Sequence, residues 1–132
     1  MPFWNTTKKI LIIDDDHSLL RRASIHLKKQ KNFEIVVFDN AREGVAAAKS
    51  LKPHLIILDW KLPDIQGIDV LPLLRKSDKT KSIPVLMLTG KNKIGNIEDA
   101  FERGANAYII KPFSLKKLSE KVIVLMKKKS AT

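Results

Sequence analysis

Four apolar runs in this chain each stop on polar side chains able to do chemistry. "KILII" stops on Asp14, Asp15 and Asp16, "HLIIL" on Asp59, "VLML" on Thr89 and "AYII" on Lys111. A cluster of carboxylates with few other ligand types suits a hard cation, and Mg²⁺ takes a few carboxylates together with water and phosphate oxygens. A hydroxyl and an ammonium facing such a cation could hold the remaining oxygens of a phosphoryl group. The pattern therefore places a reactive carboxylate, Asp59, at the rim of a buried strand and beside a metal.

These groups meet only if the strands that carry them are parallel. "KKILIID", "FEIVVFD" (Phe33 to Asp39), "HLIILD", "IPVLMLTG" and "AYIIK" read as five strands with continuous rather than alternating apolar character. Helical patterns separate them. "HSLLRRASIHLKKQ" puts Leu20, Ala23 and Leu27 on one stripe. Asn40, with Glu43 three residues later, resembles a capping box and opens a helix that Pro53 ends. "GIDVLPLLRK" looks helical, with Pro72 tolerable near the first turn, where backbone donors are unpaired anyway. "IGNIEDAFERGA" is a helix closed by Gly104, and Ser114 caps a last helix through "LKKLSEKVIVLMKKK". Five such units imply an α/β protein: an open, doubly wound, five-stranded parallel sheet with helices on both faces. Ligands of such sheets bind outside the carboxyl ends of the strands. Residues 1–8 are expected to form an N-terminal arm, 9–128 the domain and 129–132 a C-terminal tail.

Composition narrows the class. The 132 residues suit one ordinary domain, and 44% apolar with 30% charged residues suits a folded, soluble one. No apolar stretch approaches the roughly 18 residues of a membrane span, and "MPFWNTTKKI" is not patterned as a signal peptide. Cysteine is absent, which excludes disulfides and thiolate metal sites and fits a cytoplasmic location. The net charge of +11, from 25 basic and 14 acidic residues, is the unusual feature. It could serve nucleic acid, anionic lipid or an acidic protein, or be a solvated lysine-rich surface. No recognition helix or base-reading motif is visible, so nucleic-acid binding should be at most weak and non-specific, and no membrane partner is expected.

The stretches "ILIIDDDHSLLRR", "PHLIILDWKLPDIQGIDVL", "IPVLMLTG" and "GANAYIIKPF" together resemble the receiver domains of two-component response regulators over almost the whole chain. The resemblance implies a flavodoxin-like, receiver-type fold and assigns roles by position. Asp59 would be the phosphoacceptor. Asp15 would ligate Mg²⁺ directly (Mn²⁺ substituting) and Asp14 through water, with Asp59 and the backbone carbonyl of Lys61 completing the protein ligands. Thr89 and Lys111 would bind phosphoryl oxygens, Tyr108 would be the aromatic whose rotamer follows Thr89, and the Lys111–Pro112 bond would be cis. The phosphodonor would be a histidine kinase or a histidine phosphotransfer protein. The output would pass to a downstream effector or a fused output domain, with homodimerisation on phosphorylation as a further route. On this reading the domain is a signalling phosphoacceptor that catalyses its own phosphorylation and dephosphorylation, not an enzyme with a released product.

Departures from the family pattern and competing readings remain. Gly90 follows Thr89 where a small residue such as Ala is usual. Lys61 and Lys91 lie two residues beyond Asp59 and Thr89, where two long cations are less usual and would modulate the lifetime of the phosphorylated form. Asp16 reads better as a helix cap than as a ligand. His17 reads as exposed, His26 and His54 lack partners at metal-site spacing, and Trp60 reads as a fluorescence reporter at most. Lys127 to Lys129 suit the negative end of a helix dipole. "DDDHS" contains the Asp-x-Asp of haloacid-dehalogenase-type phosphatases, but the chain is short for one and Asp59 would be unexplained. "TGKNK" lacks P-loop spacing. A non-enzymatic pseudo-receiver docking module is the other alternative, and the full acidic set argues against it.

Overall fold

The computed structural model of the chain describes residues 7–30, 32–90 and 96–131, with side chains described through residue 127. Strands and helices alternate: β1 (Lys8–Ile13), α1 (His17–Gln30), β2 (Phe33–Phe38), α2 (Ala41–Leu51), β3 (Leu55–Asp59), α3 (Gly67–Lys76), β4 (Val85–Gly90), α4 (Ile97–Glu102), β5 (Ala107–Lys111) and α5 (Leu115–Ala131). The strands pair in parallel in the order β2-β1-β3-β4-β5. The fold class is therefore the one expected.

Burial explains why the strands read as unbroken apolar runs. Ile10, Ile12, Leu55 and Ile57 face one core with Leu20, Ala23 and Leu27 of α1 and Leu118 and Val122 of α5. Leu11, Ile13, Ile56 and Leu58 face a second core with Ala41 and Ala48 of α2 and Val70, Leu71 and Leu74 of α3. Because side chains alternate along a strand, a sheet covered on both faces needs an apolar residue at every position. Every residue of β3 is buried, its terminal aspartate included.

The helix starts follow the expected chemistry. Asp16 Oδ1 accepts from Leu19 N at 3.1 Å, Asn40 Oδ1 from Glu43 N at 2.9 Å and Ser114 Oγ from Lys117 N at 3.0 Å. α2 ends at Leu51, two residues before Pro53, and Lys52 between them turns left-handed at φ 47° while its N–H donates to the Ala48 carbonyl. Gly104, at φ 118°, follows α4.

Several bounds differ from the sequence reading. β2 stops at Phe38, one residue short of Asp39. β1 begins at Lys8 as expected but stops at Ile13, one residue short of Asp14, and α5 continues to Ala131. Pro72 lies inside α3, five residues past its first residue Gly67 and so beyond the first turn. The cost of a missing donor there is met by burial: Val70, Leu71 and Leu74, on either side of the proline, are fully buried.

The start of α3 is constrained by close approach rather than by a capping side chain. Gln66 at the N-cap makes no side-chain cap bond, whereas Gly67 N donates to the Trp60 carbonyl at 2.6 Å. A Cβ on Gly67 would fall inside the Asp59 carbonyl oxygen and within 3.0 Å of the Trp60 Cα. Both neighbours are backbone, so neither can rotate away. Gly67→Ala should therefore lower stability by about 1–3 kcal/mol in denaturant melts, because the end of β3 must move to admit one methyl group.

Candidate functional site

Parallel register assembles the site. Ile13 pairs with Leu58, so Asp14 and Asp59 are the next residues along two adjacent strands. Asp59 pairs with Leu88, Thr89 with Ile110 and Gly90 with Lys111. All the strand-end groups picked out in the sequence thus meet at the carboxyl edge of the sheet. Asp15, Asp16, Asp59 and Lys111 among them line a cavity of about 480 Å³, together with Lys61, Gln66 and Gly90.

Burial sets the electrostatics. Asp14 is fully buried and Asp59 is 5% exposed, whereas Asp15 is exposed at the cavity mouth. Lys111 Nζ lies 3.0 Å from Asp14 Oδ2 and 3.2 Å from Asp59 Oδ1, so one ammonium serves both carboxylates. Asp14 Oδ1 also accepts from Asp16 N at 2.9 Å. Burial, then the neighbouring Asp14 charge, push the Asp59 carboxyl up to about 7, against the opposing pull of Lys111. Burial works against the Lys111 charge as well, but Asp14 and Asp59 outweigh it and hold its pKa above the usual lysine value. One carboxylate oxygen each from Asp14, Asp15 and Asp59 lie within 4.8 Å of one another. Three hard oxygen donors with a single cation between two of them fit a divalent metal, which would supply the positive charge the cluster lacks.

The other predicted residues are placed as follows. Thr89 is buried, and its hydroxyl donates to the Gly90 carbonyl at 3.3 Å. Tyr108 is half-buried, and its ring meets Phe101 edge to face at 6.0 Å between centroids. The Lys111–Pro112 peptide is cis. Lys61 is exposed on the cavity wall, and Lys91 lies outside the described residues. His17 is exposed as expected and bonds Asp39 at 2.8 Å. His26 meets Ser119 Oγ at 3.2 Å, and His54 Nδ1 accepts from Lys9 N at 3.0 Å. Trp60 is 5% exposed and packs in the second core, so its role is more structural than the sequence reading allowed.

Three contributors were not picked out in the sequence. Asp64, in the loop after β3, accepts from Ala41 N at 2.9 Å and Arg42 N at 2.8 Å, tying that loop to the start of α2. What desolvation it suffers is outweighed by those two donors, which hold its carboxyl below the usual range. Arg75 donates to the carbonyls of Gly104, Thr80, Lys81 and Ile83 and to Asn106 Oδ1, at 2.6–3.3 Å, and so joins the turns before β4 and β5. Gln66 lines the cavity. The Pro-Asp pair in "KLPDIQG" signals a turn, but the partner of Asp64 lies 23 residues away and has no local signature.

Comparison with known proteins agrees with this geometry. The family model for the response regulator receiver domain matches residues 10–123. The chain is 37% identical over 121 residues to chemotaxis protein CheY-3 of Vibrio cholerae, covering 89% of this chain and 91% of that protein. It is 36% identical over 120 residues to the DNA-binding dual master transcriptional regulator RpaA of Synechocystis, covering 91% of this chain but 49% of that protein. The chain thus spans about half the length of some relatives and nearly all of others. Among solved structures, a CheY-like receiver domain protein from Methanospirillum hungatei superposes with a TM-score of 0.88 at 29% identity, covering 96% of this chain and 98% of that one. Among the described residues, no helix is long and apolar enough to cross a membrane. With acidic strand ends, a buried aspartate at the sheet edge and a family match over most of its length, the chain belongs to the receiver domains of response regulators, whose signalling is based on phosphorylation.

Proposed function

We propose that Asp59 accepts a phosphoryl group from the phosphohistidine of a sensor kinase or phosphotransfer protein. The observation that carries the reading is the pairing of a nearly buried Asp59 with Lys111 at the wall of an open cavity. An Asp59 carboxylate oxygen attacks phosphorus, the P–N bond breaks, and the imidazole leaves with the bonding pair. Asp14, Asp15, Asp59 and the Lys61 carbonyl would hold Mg²⁺, with Mn²⁺ able to substitute. The metal would neutralise charge on the transferring oxygens. Lys111, now in contact with Asp59, would exchange that contact for one with a phosphoryl oxygen, and the Thr89 hydroxyl would give up its long bond to Gly90 for another. Movement of Thr89 would free space for Tyr108 to turn inward. The surface of β5 and the last two helices would then shift between populations already visited before phosphorylation. The output would reach a downstream effector, a fused output domain or a second copy of the chain. The product is a conformational signal, and the only reactions catalysed are self-phosphorylation and its reversal by water.

Incubation with acetyl phosphate and Mg²⁺ should add one phosphoryl group per chain, labile to alkali and to hydroxylamine as an acyl phosphate. Asp59→Asn should abolish it while leaving the fold intact. Full labelling of that variant would relocate the nucleophile and end the proposal.

The raised Asp59 pKa has a definite sign in stability. Between about pH 4 and 7 the metal-free folded state holds a proton that the unfolded chain releases. That stabilisation is complete below the unfolded value and is lost as pH rises through about 7. In EDTA, therefore, the melting temperature should fall as pH rises over this window. Mg²⁺ should restore it most at the alkaline end, where the site is fully ionised. Asp15→Asn should remove most of the Mg²⁺ increment, and an increment that survives would exclude this metal site.

Lys61 and Lys91 are proposed to cover the phosphoryl group and slow the approach of water. A charge that acts equally on ground and transition states changes no rate, so the steric term decides. Joint replacement by alanine should shorten the phosphoprotein lifetime roughly threefold to tenfold, or about 0.7–1.4 kcal/mol of barrier. Slower decay in the double variant would mean that the lysines promote hydrolysis.

A further inference from the structure

The net charge of +11 is concentrated on one side of the molecule. α1 and α5 lie together over the same face of the sheet, with His26 and Ser119 in contact between them. Their described side chains include eight cations: Arg21, Arg22, Lys28 and Lys29 on α1, and the four lysines of α5 between Lys116 and Lys127. One carboxylate, Glu120, accompanies them. The helices over the opposite face, α2, α3 and α4, carry four cations against five carboxylates.

Two aliphatic side chains stand out on the cationic side. Ile25 is 49% exposed, and its neighbours three and four residues away in both directions on α1 are Arg21, Arg22, Lys28 and Lys29. Val124 of α5 is 50% exposed, with Lys121 and Lys127 each three residues away.

We propose that the α1–α5 face docks the domain onto an anionic phospholipid bilayer. Clusters of lysine and arginine on a helical surface are attracted to anionic headgroups. Their aliphatic stems lie against the interface while apolar neighbours such as Ile25 and Val124 enter the headgroup boundary. The composition disfavours other anionic partners. Lysine is depleted at protein–protein interfaces, and six of these eight cations are lysines. Neither helix carries a Phe, Tyr or Trp on which the bases of a single strand could stack. Two helices lying side by side on a sheet present a broad face instead of one helix projecting into a groove. A planar anionic surface can meet all of that face, whereas a duplex cylinder meets a strip of it. Peripheral attachment needs no membrane span, so the expectation of no membrane partner, drawn from the lack of a spanning segment, does not bear on it. The cavity beside Asp59 lies at the strand ends, not on the outer side of these two helices.

The test is co-sedimentation of the full chain with phosphatidylcholine vesicles, with and without about one-third phosphatidylglycerol, at low and high salt. Binding should require phosphatidylglycerol and weaken with salt. Lys28→Glu with Lys29→Glu should reduce affinity roughly tenfold or more. Lys49→Glu with Lys76→Glu makes the same charge change on the opposite side and should alter affinity by no more than about twofold. Ile25→Ser leaves the charge unchanged and should weaken binding about threefold through lost apolar contact. Melting curves and acetyl phosphate labelling check that each variant is folded. Equal losses in the two lysine pairs would reduce the effect to net charge and overturn the proposal. So would tighter binding to a random-sequence duplex than to the vesicles at the same salt, which would make the face a nucleic-acid surface.

Discussion

The structure turns on one ammonium group placed between two carboxylates. Asp14 and Asp59 stand at the ends of adjacent buried strands, and their charges would repel at close range in a medium that screens poorly. Lys111 Nζ reaches both, although β4 lies between β5 and β3 in the sheet. Three strands are thereby coupled through a single nitrogen. Any change of charge on Asp59 alters the force on Lys111 and so acts on β5, the strand that also carries Tyr108. The balance is incomplete without a further cation, as the raised Asp59 pKa indicates, because two partly or fully buried carboxylates share one positive charge.

The surrounding backbone is braced where that charge balance needs it. Gly67 lets α3 press against the carbonyl of Asp59, and Asp64 bonds the intervening loop to the first turn of α2. The Asp59 side of the cavity therefore rests on two helices and a strand at once. Arg75 plays a comparable part further from the cavity. Its guanidinium is desolvated, which lowers its pKa from the usual value, and carbonyl dipoles from two connecting segments stabilise it. Gly104 accepts this contact because a Cβ there would collide with the Arg75 side chain and because its φ of 118° excludes most other residues.

The sequence disclosed those parts of the structure that depend on local pattern. Continuous apolar runs announced strands covered on both faces, and a polar residue at the end of each run marked the functional edge, because parallel strands bring like ends together. Asp16, Asn40 and Ser114 were readable as caps since a cap bonds within three residues. Asp64 and Arg75 were not, because their partners are 22 to 31 residues away or are carbonyls that any residue supplies. Pro72 was misjudged for a related reason: a donor lost inside a helix is a local penalty, and the burial that offsets it is a tertiary term. The charge excess was visible as a number, but its placement needed the packing of α1 beside α5.

That placement separates two electrostatic systems within one small domain. At physiological ionic strength, exposed charges farther apart than about 8 Å are largely screened, while a buried pair is not. The ionisation of Asp59 is set by burial, Asp14 and Lys111, and no side chain of α1 or α5 is among its causes. Two of the three cluster carboxylates, Asp14 and Asp59, are buried and paired with Lys111, so they cancel little of the field outside α1 and α5. A domain with a strongly positive surface can thus keep an electron-rich cluster with the oxygen donors a cation would need. Its surface can be altered by selection for a different partner without retuning the chemistry at the strand ends.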